Sequence, residues 1–595
     1  MSEKELAKKG GGFLLAKADL EDIFTPEDLD EMHLMVKKTC EDFGENRIYP
    51  QTDEIENKEE GVATGLIKEA GELGLTGVDI PEEYDGDGAD KMTSVLVTEA
   101  LTYNGSFSTA FGAHTGIGSM PIIYFGNKEQ KEKYLPELAT AEKIAAYCLT
   151  EPEAGSDAMN SKATAVLSEC GNYYILNGTK QYITNAAWAE IFVVYAKVDG
   201  DKFTAFIVEK GDGVSIGPEE KKMGIHGSST CSVILEDCYV PVENVLGEIG
   251  KGHHVAFNIL NIGRYKLAAG ALGGSKKAIW QSIDYALQRE QFKQTIAQFP
   301  LIKNKVADMI IKAYGIESML YRTAGLLEEK MGNVDYDAED VNQQMRDAIR
   351  ELTIECSMNK VYGSEKMDQI VDETVQIHGG YGFDEEYPAE RMYRDSRINR
   401  IFEGTNEVNR MLVPGTLLPK AMKGELPFMD AVFGLKEELD KVKEQSVPTD
   451  SPDKEEFIVD NMKKLVLMAT GNAARKFEQD LEKEQEILVR LADMITEVFA
   501  AESALLRAKK IKQNSGDEAA KFPIMITQVM ADEMIPKMRT WAKEVMAATF
   551  EPEKAAKRDE DIDLLCRTTP INTFTLKREI AEEAYEAKGY FLERQ

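Results

Sequence analysis

The chain has 595 residues, enough for about three to four domains, and its 104 acidic against 70 basic residues give a formal net charge of −34. This acidic balance argues against nucleic acid as a partner and against attraction to anionic lipid, because phosphates require a basic surface. The seven cysteines form no CxxC pair, the six histidines show no metal-binding spacing, and no apolar run approaches a membrane span, so we expect a cytoplasmic protein without a metal site.

The first 145 residues are predicted to be a short tail followed by helices. Gly10, Gly11 and Gly12 suggest a hinge within a tail over residues 1–25, which matches neither a secretory signal nor a transit peptide. Thr25 and Pro26, followed by acidic residues, form a helix start. We therefore predict a mainly helical domain over residues 26–145.

Residues 146–251 have the pattern of short strands. Ile191–Ala196 and Phe203–Val208 are β-rich runs separated by an Asp-Gly pair, and Asn177-Gly178 is a turn signal. Short strands at regular spacing predict a small β-barrel or sandwich.

Helical sequence resumes near residue 252. Long segments with little proline predict an antiparallel helical bundle over residues 252–415. These segments are Leu267–Arg289, Ile302–Glu329 and Asp340–His378.

Residues 416–595 are predicted to be an all-α extension. An apolar stripe from Leu488 to Leu505 predicts packed helices, and the basic run Arg507–Lys512 is expected to be a solvated face. The predicted fold class is therefore α+β multidomain. It combines an N-terminal helical domain, a middle β-barrel domain, a C-terminal four-helix bundle and this extension.

The segment Arg400–Asn406 contains the main candidate for catalysis. Glu403 follows an aromatic residue and precedes Gly404, which lacks a Cβ and lets the backbone approach a ligand. Apolar neighbours disfavour the charged carboxylate, so its pKa is expected to rise toward the range of a general base. The alternative is that Glu403 only caps or ends a helix.

Three other blocks could hold a cofactor. In Tyr147–Asp157, a loop with hydroxyls and free N–H groups suits a ring system and a pyrophosphate, although it could be a tight inter-domain turn. Tyr182 and Thr184 lie on one face of a strand, suited to a flat ring, or form an ordinary strand. Gln376–Phe383 has three glycines that allow contact with an anionic cofactor, or simply stop a helix.

Together these blocks resemble the two signature patterns of the acyl-CoA dehydrogenase family, in the expected order and separation. The first is matched from Cys148 to Asp157, with a departure at Asn160, where the family usually has a small residue. The second is matched from Gln376 to Asp395. The resemblance covers about residues 25–415, and the predicted domain order agrees with the family fold.

The resemblance implies a mechanism. FAD would lie between the β-domain and the bundle, and Glu403 would remove the α-proton of an acyl-CoA while a hydride leaves the β-carbon for the flavin. The product would be a trans-2-enoyl-CoA of fatty-acid β-oxidation, with electrons passed to an electron-transferring flavoprotein. A minority of the family places the base just before the first arginine of the bundle. Here that position is Gly263, before Arg264, so Glu403 stands alone.

The resemblance also implies binding residues. FAD contacts within one subunit are implied at Tyr147, Leu149, Thr150, Ser156, Tyr182, Ile183, Thr184, Thr405, Asn406 and Glu407. Contacts to the FAD of a neighbouring subunit, and hence an oligomer, are implied at Arg289, Phe292, Gln376 and Gly380, and a further FAD contact is implied at Gly379. Substrate-side positions are Ser156, Asn261, Gly263, Arg264 and Gly404.

The extension and the sequence of Asn258–Arg264 resemble those of the very-long-chain branch, and this resemblance implies a homodimer with long-chain preference. The resemblance implies that the helix carrying Gly263 lines the acyl cavity, where the missing side chain would leave room for a longer acyl chain. Members of that branch are membrane-associated, but the extension shows no obvious basic amphipathic helix, which argues against membrane contact. Two alternatives stay open. One is an acyl-CoA oxidase that uses oxygen, and the other is a non-catalytic assembly or scaffold relative.

Overall fold

The chain forms helices, then a sheet, then helices again, which confirms the predicted fold class. A computed structural model of the chain describes residues 2–335, 338 and 340–593. The helices before the sheet are α1 (Glu3–Ala7), α2 (Glu31–Phe43), α3 (Thr52–Glu56), α4 (Val62–Glu72), α5 (Lys91–Ala100), α6 (Gly105–Gly112), α7 (Met120–Phe125) and α8 (Lys128–Ala139).

The segment before α2 is not a free tail. The backbone N–H groups of Gly10 and Gly11 donate to Glu351 at 3.1 Å and to Glu355 at 2.8 Å, and Phe13 and Leu14 are buried. The expected glycine hinge is therefore wrong for the described residues. The three glycines instead allow close packing, since a Cβ on Gly10 would lie 1.9 Å from the carbonyl oxygen of Glu351.

An eight-stranded sheet forms the middle of the chain, in the order β6-β7-β3-β2-β4-β5-β8 with β1 parallel to β4. Its strands are β1 (Ala145–Cys148), β2 (Thr164–Leu167), β3 (Tyr173–Thr184), β4 (Ile191–Val198), β5 (Lys202–Glu209), β6 (Val214–Ile216), β7 (Thr230–Pro241) and β8 (Val245–Leu246). The Asn177-Gly178 turn prediction is wrong. Both residues lie inside β3, where the register against β7 shifts between Leu176 and Gly178, as in a β-bulge.

Strand β4 shows why the sheet packs on both faces. All its residues from Ile191 to Ala196 are buried. Alternate side chains point to opposite faces, so Phe192 and Val194 belong to the core of the β-domain, while Val193 and Tyr195 join the helical core. The sheet is therefore held against the helices on one face of β4 and of its neighbours β1 and β5.

The bundle after the sheet consists mainly of α9, α10, α12 and α14, with α12 packed on the other three. The elements are α9 (Gly252–Gln288), β9 (Glu290–Gln291), β10 (Gln294–Thr295), α10 (Pro300–Gly332), α11 (Val341–Glu351), α12 (Thr353–His378), α13 (Pro388–Ser396) and α14 (Asn406–Met422). The segment predicted as one helix from Asp340 to His378 is divided at Leu352 into α11 and α12.

The extension is helical and packs on α10 and α14 through α17 and α20. Its helices are α15 (Phe428–Glu444), α16 (Asp453–Phe477), α17 (Gln485–Ala519), α18 (Lys521–Thr549), α19 (Pro552–Leu565) and α20 (Thr573–Ala587). Among the described residues, no helix has the length and apolarity that crossing a membrane requires.

The expected solvated face at Arg507–Lys512 is wrong at Arg507 and at Lys510, which are both buried. Arg507 is fully buried and pairs with Glu317 at 2.5 Å and with Glu27 at 2.7 Å. Its guanidinium also lies 4.5 Å from the ring centre of Tyr314. A buried charge needs such partners, so Arg507 joins the extension to α10 and to the N-terminal helical part.

Candidate active site

Glu403 lies in the turn that precedes α14. Its φ is +56° and that of Gly404 is +82°, left-handed values that reverse the chain sharply. The side chain of Thr405, not that of Glu403, caps α14 by accepting a hydrogen bond from the Val408 N–H at 3.2 Å. Asn409 Nδ2 donates to the carbonyls of Gly404 at 2.8 Å and Thr405 at 3.0 Å. The turn is thus fixed, and the carboxylate of Glu403 is not used as a helix cap.

The carboxylate of Glu403 has the electrostatics of a general base. Burial raises its pKa to about 7, against the opposing effect of the positive charges of Arg264 and Lys360. Its Oε2 is buried and has no hydrogen-bond partner among the described residues. Arg264 does not pair with the carboxylate, because its Nε donates to the backbone carbonyl of Glu403 at 3.3 Å. The carboxylate is therefore available to accept a proton near neutral pH.

Gly263 lies directly opposite this carboxylate, on α9. A Cβ at this position would lie 2.7 Å from Glu403 Oε2 and 2.9 Å from its Cδ, closer than Cβ atoms come to other atoms. The absent side chain therefore makes room for Glu403 itself, in addition to any room for a substrate.

Lys360 is a neighbour of this site that the sequence analysis did not predict. It is fully buried on α12, and its Nζ donates to Asn406 Oδ1 at 2.6 Å. Burial lowers the pKa of Lys360 to about 7, and the negative charge of Glu403 opposes this decrease. A signal was present, since Lys360 is the only charged residue between Glu355 and Glu365.

A cavity of about 580 Å³ contains Glu403 and Gly263 in its wall. Thr184 and Ile225 contribute from the β-domain, and Phe402 from the turn before Glu403. Helix α9 contributes a face of residues three or four positions apart, namely Gly263, Leu267, Gly270, Gly274 and Lys277. Its volume lies in the range of about 300–1,000 Å³ that is usual for small-molecule sites.

Four segments of the chain match domains of one family. Residues 30–142 match the acyl-CoA dehydrogenase N-terminal domain, and residues 146–238 match the middle domain. Residues 250–418 and 461–557 each match a domain described as acyl-CoA dehydrogenase, C-terminal domain.

Two bacterial acyl-CoA dehydrogenases are similar to this chain over almost its whole length. A Bacillus subtilis protein named "Probable acyl-CoA dehydrogenase" is 52% identical over 586 residues, 98% of each chain. The crystal structure of a Bacillus anthracis acyl-CoA dehydrogenase complexed with FAD has 51% identity and a TM-score of 0.96, and covers 98% of this chain and 100% of its own. The chain belongs to the acyl-CoA dehydrogenase family. It is therefore an FAD-dependent oxidoreductase that acts on acyl-CoA thioesters.

The very-long-chain members of the family are among its relatives. The mitochondrial very long-chain specific acyl-CoA dehydrogenase of Bos taurus is 36% identical over 521 residues, 82% of this chain and 76% of that protein. A family domain also matches residues 461–557, so the resemblance to the family includes part of the extension.

Three of the FAD positions implied within one subunit, Tyr182, Ile183 and Thr184, lie on β3. Thr184 lines the cavity, whereas Ile183 is buried in the β-domain core, which leaves its backbone for contact. Tyr182 is 61% exposed with φ of +57°, and the register of β3 shifts between Lys180 and Ile183. The regular alternation that placed Tyr182 and Thr184 on one face is therefore interrupted. Tyr182 still offers an exposed aromatic ring, and Thr184 brings a hydroxyl to the cavity, and both groups fit a flat ring system.

The loop after β1 is held by an ion pair that the sequence analysis missed. Tyr147 and Leu149 are buried, Thr150 is half-buried and Ser156 is exposed. Lys180 Nζ, fully buried, lies 2.7 Å from Glu151 Oε1 and donates to the carbonyl of Leu149 at 3.3 Å. The pair fixes the loop, so its N–H and hydroxyl groups keep one arrangement.

A second group of implied FAD positions lies outside this cavity. Arg289, Phe292, Gln376, Gly379 and Gly380 are exposed at the C-terminal ends of α9 and α12 and beyond them. The Arg289 guanidinium lies 5.6 Å from the ring centre of Tyr381, and Gly379 has φ of +62°. The structure gathers these five positions at one end of the bundle, with their side chains or backbone open to a ligand.

The remaining implied positions are close to Glu403. Asn261 accepts from Arg264 Nη1 at 2.7 Å and donates to Thr353 Oγ1 at 3.0 Å, so its side chain orients Arg264. Asn406 is buried and bonded to Lys360, whereas Glu407 is exposed.

Proposed function

We propose that the chain catalyses the α,β-dehydrogenation of long-chain acyl-CoA to trans-2-enoyl-CoA in fatty-acid β-oxidation, with Glu403 as the base. The observation that carries this proposal is the buried, unpartnered Oε2 of Glu403, in a cavity and with a pKa of about 7. A base with a pKa near the working pH combines a large unprotonated fraction with a strong tendency to take a proton.

Each residue of the site has a separate role in the proposed reaction. Glu403 removes the proton from the α-carbon and holds it on Oε2, facing Gly263. Arg264 holds the turn by its bond to the carbonyl of Glu403, and this leaves the carboxylate free. FAD, when bound, supplies the acceptor for the hydride that leaves the β-carbon. The apolar wall formed by Leu267 and Phe402 excludes water from the acyl chain.

We assign the cofactor contacts to the residues that the family resemblance implies. Thr184 and Tyr182 are proposed to contact the flavin ring, and the loop from Leu149 to Ser156 to contact the cofactor with its N–H and hydroxyl groups. The separate cluster around Arg289 and Gly380 lies away from the Glu403 cavity, which supports a role toward the FAD of a second subunit. A homodimer is therefore part of the proposal, with an electron-transferring flavoprotein as the acceptor.

An anaerobic half-reaction tests the substrate class. The FAD-loaded protein is mixed with acyl-CoAs from short to long, and the flavin absorbance is followed. Bleaching that is strongest with long chains is expected, whereas an unchanged spectrum with every acyl-CoA would refute the proposal. Aerobic turnover that forms hydrogen peroxide at full rate without a flavoprotein acceptor would assign the chain to the oxidases instead.

The variant Glu403→Gln tests the base. It keeps the size of the side chain and loses the carboxylate, so flavin bleaching is expected to fall by at least about 100-fold, the lower part of the range for general bases. FAD content and thermal stability serve as controls for folding. Bleaching at the wild-type rate would show that another group takes the proton.

A further inference from the structure

A segment beyond the extension helices forms another part of the wall of the cavity that contains Glu403. Gly589, Tyr590 and Glu593 line the same cavity as Glu403 and Gly263, although they lie almost 190 residues further along the chain. Helix α20 ends in a left-handed Lys588, with φ of +57°, and the Gly589 N–H donates back to the carbonyl of Ala584 at 3.1 Å. This helix stop turns the chain toward the cavity.

Tyr590 is fixed by groups from two bundle helices. Its hydroxyl donates to Glu317 Oε2 at 2.6 Å, and Lys276 Nζ lies 4.8 Å from the centre of its ring. Lys276 also pairs with Glu317 at 2.6 Å. The ring therefore has one defined position, with α9 on one side and α10 at its hydroxyl end.

The rest of the segment is fixed independently. The carbonyl of Leu592 accepts from Arg507 Nη2 at 2.9 Å, and Glu593 pairs with Lys276 at 2.8 Å and with Lys37. Phe591 packs against Phe522, with ring centres 5.2 Å apart. Because these contacts hold the segment on both sides of Tyr590, we expect the ring to keep its position when a ligand contacts it.

The chemistry of the wall changes along the cavity. Near Glu403 it includes Gly263, Leu267 and Gly270, which offer apolar surface or open space to an alkyl chain, and the charge of Lys266 on the same stretch is paired with Asp79. Near Tyr590 it carries the charges of Lys276 and Glu593. Lys276 and Glu593 are paired with each other, and extension of an alkyl chain past the Tyr590 ring would remove the remaining water from this ion pair, which is unfavourable.

The distance between the two regions suits a long chain. Gly263 and Lys276 are 13 positions apart on α9, which corresponds to about 20 Å at a rise of about 1.5 Å per residue. An extended chain of single bonds advances about 1.2 Å per bond, so this distance holds roughly 16–18 carbons.

We propose that Tyr590 is a specificity-determining residue that ends the acyl cavity and sets the longest acyl chain that the enzyme accepts. This inference rests on the proposed function, because it takes the alkyl chain of an acyl-CoA as the ligand. It also gives the extension a role in catalysis, since Arg507 and Phe522 of the extension hold the segment that carries Tyr590.

The test is a chain-length profile of kcat/KM for saturated acyl-CoAs of about 4 to 22 carbons. Tyr590→Ala is expected to raise kcat/KM roughly tenfold or more for the first chain lengths that the wild type rejects, since one methylene in a tight pocket changes kcat/KM by about 10–200-fold. Tyr590→Phe keeps the ring and is expected to keep the wild-type length limit. Phe591→Ala is the matched control, because it disturbs the same segment at a residue packed on Phe522.

The outcomes separate the two proposals. A wild type that turns over no acyl-CoA refutes the proposed function and this inference with it. An active wild type whose length limit is shared by a folded, FAD-bound Tyr590→Ala variant refutes the role of Tyr590 alone. A limit that lengthens equally in Phe591→Ala also refutes it, because the effect would then come from loosening the segment.

A second variant decides the question if Tyr590→Ala does not fold. Gly270 has no atom within 4 Å of the position of a Cβ, so Gly270→Leu fills the cavity about halfway between Gly263 and Lys276. The longest accepted chain is then expected to shorten by about six to eight carbons, at about 1.2 Å per carbon. Gly434→Leu is the control for the effect of replacing a helical glycine by leucine, because Gly434 lies on α15 and a Cβ there also meets no atom within 4 Å. An unchanged limit in Gly270→Leu would show that the acyl chain does not run along α9, and this would overturn the inference.

Discussion

The variant Gly263→Ala gives the sharpest test of the geometry around Glu403. The added Cβ would lie 2.7 Å from Glu403 Oε2, whereas ordinary van der Waals contact begins at 3.4 Å, so the carboxylate must retreat by about 0.7 Å. A misplacement of about 1 Å can reduce an enzymatic rate by about 100-fold, and we therefore expect the rate of flavin reduction to fall roughly 10- to 100-fold.

Stability should not fall with this activity. Alanine is favoured over glycine inside a helix by roughly 0.5–1 kcal/mol, and Gly263 lies well within α9. The assay is stopped-flow flavin reduction at saturating acyl-CoA, together with a thermal melt and FAD content. Gly434→Ala, where a Cβ meets nothing within 4 Å, is the matched control. A rate within twofold of the wild type would refute the argument that Gly263 exists to accommodate the carboxylate.

Three further predictions concern charge. In the wild type, kcat/KM should rise with pH through about 7, as Glu403 loses its proton and becomes able to act as a base. In the wild type the ammonium of Lys360 lowers the pKa of Glu403. Lys360→Met removes this charge, so the midpoint of the rise should move to higher pH, and a midpoint that stays or moves down would contradict this. Arg507→Met should reduce the free energy of unfolding by about 3–5 kcal/mol, since it leaves the buried Glu317 short of a partner. Lys509→Met, which removes a more exposed ion pair, should cost about 0–1 kcal/mol in the same urea titration, and equal losses would contradict the role of burial.

The sequence predicted those parts of the fold that depend on local signals. The runs Ile191–Ala196 and Phe203–Val208, predicted as strands from their own composition, lie in β4 and β5, and the order of helices, strands and helices follows from similar patterns. The same local reasoning failed at Asn177-Gly178, where pairing with β7 keeps the residues in a strand. Pairing between distant strands overrides a turn signal, and the sequence does not show which strands will meet.

Long-range packing also explains the two wrong predictions in the N-terminal segment and in the extension. Gly10 and Gly11 were predicted as a hinge because glycine is flexible, but their N–H groups are bonded to carboxylates about 340 residues away. Arg507 was predicted to face solvent because it begins a basic run, yet Glu317 and Glu27 surround it. The partners of a buried charge come from other elements, and a single segment cannot reveal them.

The candidate site likewise combines a local sequence signal with contacts between distant elements. Glu403 was singled out from its own neighbours in sequence, but its pKa depends on residues of three elements, because burial raises it while Arg264 on α9 and Lys360 on α12 lower it. Burial without these cations would favour a permanently protonated acid, whereas a direct ion pair with Arg264 would favour a permanent carboxylate. Arg264 avoids the second outcome by binding the backbone carbonyl of Glu403 instead. The balance near pH 7 therefore exists only when α9, α12 and the turn before α14 have come together, and Gly263 is the residue that lets them approach closely enough.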